Sequence, residues 1–324
     1  MVNQFSSEIK NVVVFGGGTG LSCLLSGLKL FPIDVTTVIA VSDNGSSTGV
    51  LKEELDIPAV GDVGKVLLSM ANVDEDFIDL LQYRFSKDGS LHNHPVRNIM
   101  LAALIDTKGN LTEATKYMAK ILNVKGTVLP LTEEKVDLVG KGKDKTYYGE
   151  EEVSLNIKNI DRISYDHEVH VGMEILEKIK RADLIIFSPG SLYTSILPHL
   201  LSKQVLSALD EAKAPLMYVS NLVTQPGETD GYSVKDHMEV LNRYLGKRMI
   251  DIVLANNAHI DERIIEKYFS TENKTPVLID EALTSDPRVE IIEGHIFNIR
   301  NGKIRHDPLK TAYLIFSYLM DNLA

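Results

Sequence analysis

The chain has 324 residues, with 34 Lys and Arg against 45 Asp and Glu, for a formal net charge of −11. That length suits one large α/β domain or two small ones, and an acidic balance with no dense basic stripe argues against a nucleic-acid surface. Cys23 is the single cysteine, which excludes an intrachain disulfide and a cysteine zinc cluster, and with no apolar run of membrane-spanning length and no signal-peptide core in residues 1–10 a cytoplasmic protein is expected.

The first element is the run Val12-Val13-Val14-Phe15, which flows into Gly16-Gly17-Gly18-Thr19-Gly20 and then into an apolar segment with helical spacing. Strand, tight turn and helix start in that order place unpaired N–H groups and the positive end of a helix dipole where an anion can sit. The dinucleotide fingerprint needs glycine at its sixth position, which is Leu21 here, and no Gly-Lys-Ser/Thr follows as in a P-loop. A phosphate is therefore expected on Gly16, Gly17, Gly18, Thr19 and Gly20, and an NAD site is not. The plain alternative is a glycine turn that only lets strand and helix pack closely.

A second β-branched run at 35–41, separated from the first by the amphipathic 21–30, completes a βαβ unit and so predicts a parallel sheet. Helical spacing follows at 51–55, 63–70, 77–85, 99–105 and 111–122. Residues 127–163 change character to short strands and charged turns, and read as a β-rich insertion at one edge. Buried-strand runs resume at 184–187, 216–220 and 252–255, with no internal repeat or low-complexity linker. The pattern predicts a single α/β domain over 1–324, Rossmann-like and doubly wound around a mainly parallel sheet.

Ligands of such sheets collect beyond the carboxyl ends of the strands, so the residues after each run are the candidates. After the second run comes Ser42-Asp43-Asn44-Gly45-Ser46-Ser47-Thr48-Gly49, in which Asp43 can hold a ribose or a hydrated Mg²⁺, or simply form the turn. After 184–187 come Gly190, Ser191, Tyr193, Thr194 and Ser195, a hydroxyl-rich strand-to-helix junction that can offer donors to phosphate or sugar oxygens; the spacing is not that of a nucleophile elbow. After 216–220, Asn221, Thr224 and Gln225 can read hydroxyl or amide groups, and Glu228 can grip a ribose or a metal. His92 and His94 fall in a loop, and Asp166-His167-Glu168-Val169-His170 reads as a solvated edge, so no structural metal is expected.

The Gly-Gly-Gly-Thr-Gly-Leu turn, Asp43-Asn44-Gly45, Gly61-Asp62, Gly190-Ser191-Leu192-Tyr193-Thr194-Ser195, Gly227-Glu228-Thr229-Asp230-Gly231-Tyr232 and Arg305-His306 resemble, in the same order, the YvcK-like gluconeogenesis factors of the CofD-like superfamily. The resemblance covers nearly the whole chain. It implies a Rossmann-like fold, binding of UDP-sugars, notably UDP-N-acetylglucosamine, and a regulatory role in cell shape and envelope synthesis during gluconeogenic growth. It also implies that Tyr268 stacks on uracil and that Arg305 binds the diphosphate. Cell-wall-synthesis proteins and further copies of the chain are the candidate partners, and no cofactor is required.

Three places depart from the family pattern: Asp43-Asn44-Gly45-Ser46 for Asp-Asp-Gly-Gly, Gly61-Asp62-Val63-Gly64-Lys65 for Gly-Asp-Ile-Arg-Asn, and Asn93-His94-Pro95-Val96-Arg97-Asn98 for Gly-His-x-x-Gly-Asn. An arginine is thus lost at 64 and one gained at 97, so Arg97, with Lys65 helping and Asn98 beside it, is expected to supply the missing ligand-binding charge. No catalytic residue is assigned to the regulator. The alternative is an enzyme like the superfamily's 2-phospho-L-lactate transferase, which builds a deazaflavin coenzyme; Asp43 and Asp62 would then be catalytic, with Asp43 holding Mg²⁺.

Overall fold

The computed structural model describes residues 9–300 and 302–322, so the reading of the first ten residues falls largely outside them. Strand β1 (Asn11–Gly16) carries Val12, Val13, Val14 and Phe15, none more than 1% exposed. Both faces of the strand are covered, which is why its sequence is continuously apolar rather than alternating. Helix α1 (Gly18–Leu28) follows directly, then β2 (Asp34–Ile39), α2 (Ser46–Leu55), α3 (Gly61–Met70), α4 (Glu75–Gln82), α5 (Val96–Lys108), α6 (Leu111–Ile121) and β3 (Thr127–Pro130).

A small antiparallel sheet comes next, with β4 (Leu138–Lys141) between β5 (Thr146–Tyr148) and, beyond the short helix α7 (Glu150–Leu155), β6 (Arg162–Tyr165). The main sheet resumes through α8 (Met173–Lys180), β7 (Leu184–Phe187), a π-turn at Leu192–Ile196, α9 (Lys203–Glu211), β8 (Leu216–Val219), α10 (Val234–Leu245) and β9 (Ile252–Asn256). Helices α11 (Glu262–Glu272) and α12 (Glu281–Thr284), strand β10 (Glu290–Gly294), the hairpin β11 (Phe297–Arg300) with β12 (Lys303–His306), and α13 (Pro308–Asn322) complete the described chain.

The central sheet has seven strands in the order β10-β9-β8-β7-β1-β2-β3, and every neighbouring pair is parallel. Val12 of β1 faces Val35 of β2 on one side and Leu184 of β7 on the other. The chain therefore winds outward from β1 through β2 to β3, returns, and winds the other way from β7. The β1/β7 boundary is the topological switch point, where the loops after the two strands diverge and open a crevice. The Rossmann-like, doubly wound expectation holds.

Local details differ from the sequence reading. The 127–163 segment is not wholly an insertion, because Thr127–Pro130 pairs in parallel with β2 (Thr36 against Thr127) and closes the main sheet; the small sheet starts later and runs on to Tyr165. A four-residue strand carries the same local pattern in either sheet, so only its partner distinguishes them. Helix α4 stops at Gln82, and an isolated antiparallel bridge joins Arg84 to Pro95. Residues 166–170 form no strand; His167 bridges the Asp166 and Glu134 carboxylates at 3.0 Å each. No helix among the described residues is long and apolar enough to cross a membrane.

The insertion is fastened to the main domain by Lys52 of α2. Its side chain is fully buried, and its ammonium donates to the Val136 carbonyl (2.7 Å) and to the Asp137 carboxylate (2.6 Å).

Candidate functional site

A cleft of about 360 Å³ lies at the switch point. Its floor is the start of α1 (Gly17, Gly18, Thr19, Gly20), one wall is Pro189, Gly190, Ser191 and Ser195, and the other is Asn221, Thr224 and Gln225. Arg305 and Lys274 also line it, the Lys274 ammonium paired with the Glu272 carboxylate at 2.7 Å, so two basic side chains share one small space with a helix N-terminus. That arrangement favours a polyanion.

The cleft depends on the close approach of two loops. A Cβ added to Gly20 would run into the Pro189 carbonyl, so only glycine lets the turn after β1 pass the loop after β7. Asn221 locks that second loop: its Oδ1 accepts the Gly190 N–H and its Nδ2 donates to the Gly190 carbonyl, both at 2.9 Å. Glu228 is 4% exposed and accepts the Ser191 hydroxyl and the Tyr193 N–H, both at 2.7 Å; burial raises its pKa. Both residues hold the wall in place. Asn221 has its amide engaged within the wall, and Glu228, expected to grip a ribose or a metal, does not line the cleft.

Thr194 is bonded to Ser191, and Thr224 exchanges hydrogen bonds with Thr275. Gln225 lines the cleft with a side-chain amide that makes no hydrogen bond among the described residues. Tyr268 departs from expectation. It is 3% exposed, with its phenol oxygen accepting the Ile304 N–H at 2.6 Å, so its ring has no open face for a base. What it does is hold β12 beside the cleft, and thereby Arg305, whose guanidinium donates to the Ile304 carbonyl at 3.0 Å.

The remaining expected residues form a second neighbourhood. Asp62, at the start of α3, accepts the Gly18 N–H through Oδ2 (2.9 Å) and the Lys65 ammonium through Oδ1 (2.8 Å), so its carboxylate caps α1. Asp43 accepts the Gly45 N–H (2.9 Å), the turn role open to it from the outset, and shares a hydrogen bond with Glu150. Asn44 accepts the Glu151 N–H at 3.3 Å. Arg97 and Asn98 are buried at the start of α5. His94 falls in a loop, as expected, and is buried there: it is 4% exposed, with Nδ1 2.8 Å from the Ser47 hydroxyl.

Glu150 and Lys274 were invisible to sequence reasoning. Glu150 sits in an acidic run of the insertion, where a charged helix start is commonplace, and Lys274 in an unremarkable turn after α11.

A family model described as 2-phospho-L-lactate transferase CofD matches residues 12–297. The chain belongs to this CofD family. A gluconeogenesis factor of Bacillus subtilis (strain 168) is 39% identical over 312 residues, covering 96% of this chain and 98% of that protein. One from Halalkalibacterium halodurans is 37% identical over 308 residues, covering 94% and 95%. The crystal structure of a Bacillus halodurans protein superposes with a TM-score of 0.90 at 36% identity, over 95% of this chain and all of that one. The motif resemblance to YvcK-like factors is thus borne out along nearly the whole chain. Arg305 lies past the stretch that the CofD model matches.

In this CofD-family chain, burial, and then the hydrogen bond and charge of Asp43, push the Glu150 carboxyl up to about 8. The folded state therefore holds an extra proton between the ordinary carboxyl value and about pH 8. With respect to this group, stability is fully present at low pH and is lost as pH rises through that window. Glu150→Gln keeps the shape and a donor towards Asp43 without the titration. It should gain on the parent as pH rises from 5 to 8, reaching an advantage of about 1–3 kcal/mol at pH 8. Parallel denaturation curves for the two chains across that range would refute the shared proton.

Proposed function

We propose that the chain is a UDP-sugar-binding regulator, with UDP-N-acetylglucosamine as its ligand, acting in cell shape and envelope synthesis during gluconeogenic growth. The observation that carries this reading is the meeting of a helix N-terminus, Lys274 and Arg305 in one cleft at the switch point. Those groups suit a diphosphate: the Thr19 and Gly20 amides, beside the Gly18 amide that Asp62 already occupies, address one phosphate, and the guanidinium of Arg305 can form paired hydrogen bonds to oxygens of either. The volume falls within the range of small-ligand sites, and Gln225 supplies a free amide for the uracil or sugar. The gluconeogenesis-factor names of the Bacillus subtilis and Halalkalibacterium halodurans relatives support the physiological setting.

The CofD family model supports a second reading, transfer of a nucleotide-linked phosphoryl group with Mg²⁺. Among the described residues, Asp43 and Asp62 have their oxygens engaged by Gly45, Glu150, Gly18 and Lys65, and no group of three or more His, Cys, Asp or Glu is arranged to hold a metal. These donors do not fit the ion as arranged.

A thermal-shift panel of UDP-N-acetylglucosamine, UDP-glucose, NAD and GTP, each with and without Mg²⁺, tests the proposal. A UDP-sugar at 100 times its Kd should stabilise the fold by about 2.7 kcal/mol. Arg305→Ala should weaken that binding by about 10- to 100-fold, the loss expected for a charge-assisted pair. Stabilisation by NAD and not by UDP-sugars overturns the reading; turnover of a deazaflavin precursor establishes the transferase instead.

A further inference from the structure

His306 lines the same cleft beside Arg305 and is only 8% exposed. Its Nε2 lies 3.0 Å from the Ser220 carbonyl, an atom that can only accept, so Nε2 carries the ring proton. Burial pushes the imidazole down to about 4, so the ring is neutral near pH 7 and Nδ1 keeps a bare lone pair. The His306 carbonyl is engaged as well, by the Cys23 thiol at 3.2 Å. Nδ1 is thus the polar atom of this side chain with no hydrogen-bonding partner among the described residues. Unlike the partnerless Nε2 of His237, it is not sealed from solvent.

The charged side chains that line the cleft, Arg305 and Lys274, can only donate, and the α1 N-terminus presents N–H groups. A lone pair among such donors needs a donor from the ligand, because an acceptor buried by the ligand and left unpaired is costly. We propose that His306 Nδ1 accepts a hydrogen bond from an N–H or O–H group of the bound ligand, next to the anionic group that Arg305 takes, and so contributes to ligand specificity. A uracil imide N–H, a ribose hydroxyl and a sugar hydroxyl or amide all offer that chemistry. The ring sits on β12 and the carbonyl that fixes its tautomer follows β8, so the acceptor is built by two elements that meet beside the cleft. This deepens the UDP-sugar reading and rests on it only for which molecule carries the donor.

The test is a pair of substitutions read by titration calorimetry with UDP-N-acetylglucosamine. His306→Gln keeps a donor within reach of the Ser220 carbonyl and withdraws the acceptor at the Nδ1 position; His306→Asn keeps an acceptor near that position and gives up the Ser220 bond. His306→Gln should raise the Kd by about 3- to 10-fold, the cost of one hydrogen bond, with the melting temperature of the free protein near wild type. His306→Asn should lower that melting temperature and hold the Kd within about 2-fold. Affinity kept in His306→Gln and lost in His306→Asn marks a residue that only secures the hairpin, and overturns the proposal. Repeating the titrations with UDP locates the donor: an equal loss places it on the nucleoside half, and a loss confined to UDP-N-acetylglucosamine places it on the sugar. Either supports the proposal. If no uridine nucleotide binds the wild type, the cleft's occupant has been misread, and GDP takes over the same comparison. Imidazole nitrogen NMR is the second readout: Nδ1 of His306 should resonate as an unprotonated nitrogen in the free protein and move upfield with bound nucleotide. A protonated Nδ1, or a resonance that neither the uridine nucleotides nor GDP move, overturns the proposal.

Discussion

Gly20→Ala is expected to weaken UDP-N-acetylglucosamine binding by about 100-fold and to lower stability by about 1–3 kcal/mol, the usual range for forcing a methyl into a packed site. The added carbon meets the Pro189 carbonyl, which is backbone and has no side-chain rotation by which to yield. The loops after β1 and β7 must then part, moving the α1 N-terminus away from Gly190 and Ser191. Titration calorimetry measures the first effect and urea denaturation the second. Unchanged affinity in Gly20→Ala would mean that the phosphate-binding turn lies elsewhere.

Replacing Lys52 with Ala should destabilise the fold by about 3–5 kcal/mol, the range found when one partner of a buried ion pair is removed. The side chain is fully buried and satisfies both the Val136 carbonyl and the Asp137 carboxylate, so truncation strands two acceptors and leaves a cavity between α2 and the insertion. Asp137 is half exposed and can recover solvent, which favours the lower end of the range. Lys52→Met, similar in volume and uncharged, should recover part of the loss by refilling the cavity. A Lys52→Ala denaturation midpoint equal to that of the wild type would show that the insertion is held by other contacts.

Much of the fold was legible from local pattern because each signal is short in range. The apolar run of β1, its glycine turn and the start of α1 occupy consecutive residues, and the buried runs at Leu184–Phe187, Leu216–Val219 and Ile252–Asn256 carry the same mark. The candidate site was legible only as a set of loops. Within them, Asn221 and Glu228 have the chemistry of ligand readers yet bind Gly190, Ser191 and Tyr193. Tyr268 has the chemistry of a stacking ring yet is buried beneath β12. Glu150 has the look of an ordinary helix start and instead meets Asp43. A polar side chain's type does not say whether its partner is protein or ligand.

The sequence by itself determined the class of fold, the parallel order of its βαβ units, the strand, glycine turn and helix start around Gly16–Gly20, and the family. All of these follow from residue types over short windows or from ordered motifs. Only the tertiary structure decided which loops share a cleft, that Lys274 and Arg305 face the glycine turn, and that Asp62 caps it from 44 residues away. The physical reason is that a parallel sheet brings the ends of sequence-distant strands together. The free energy of each polar group is then set by neighbours across the switch point rather than by neighbours in the chain.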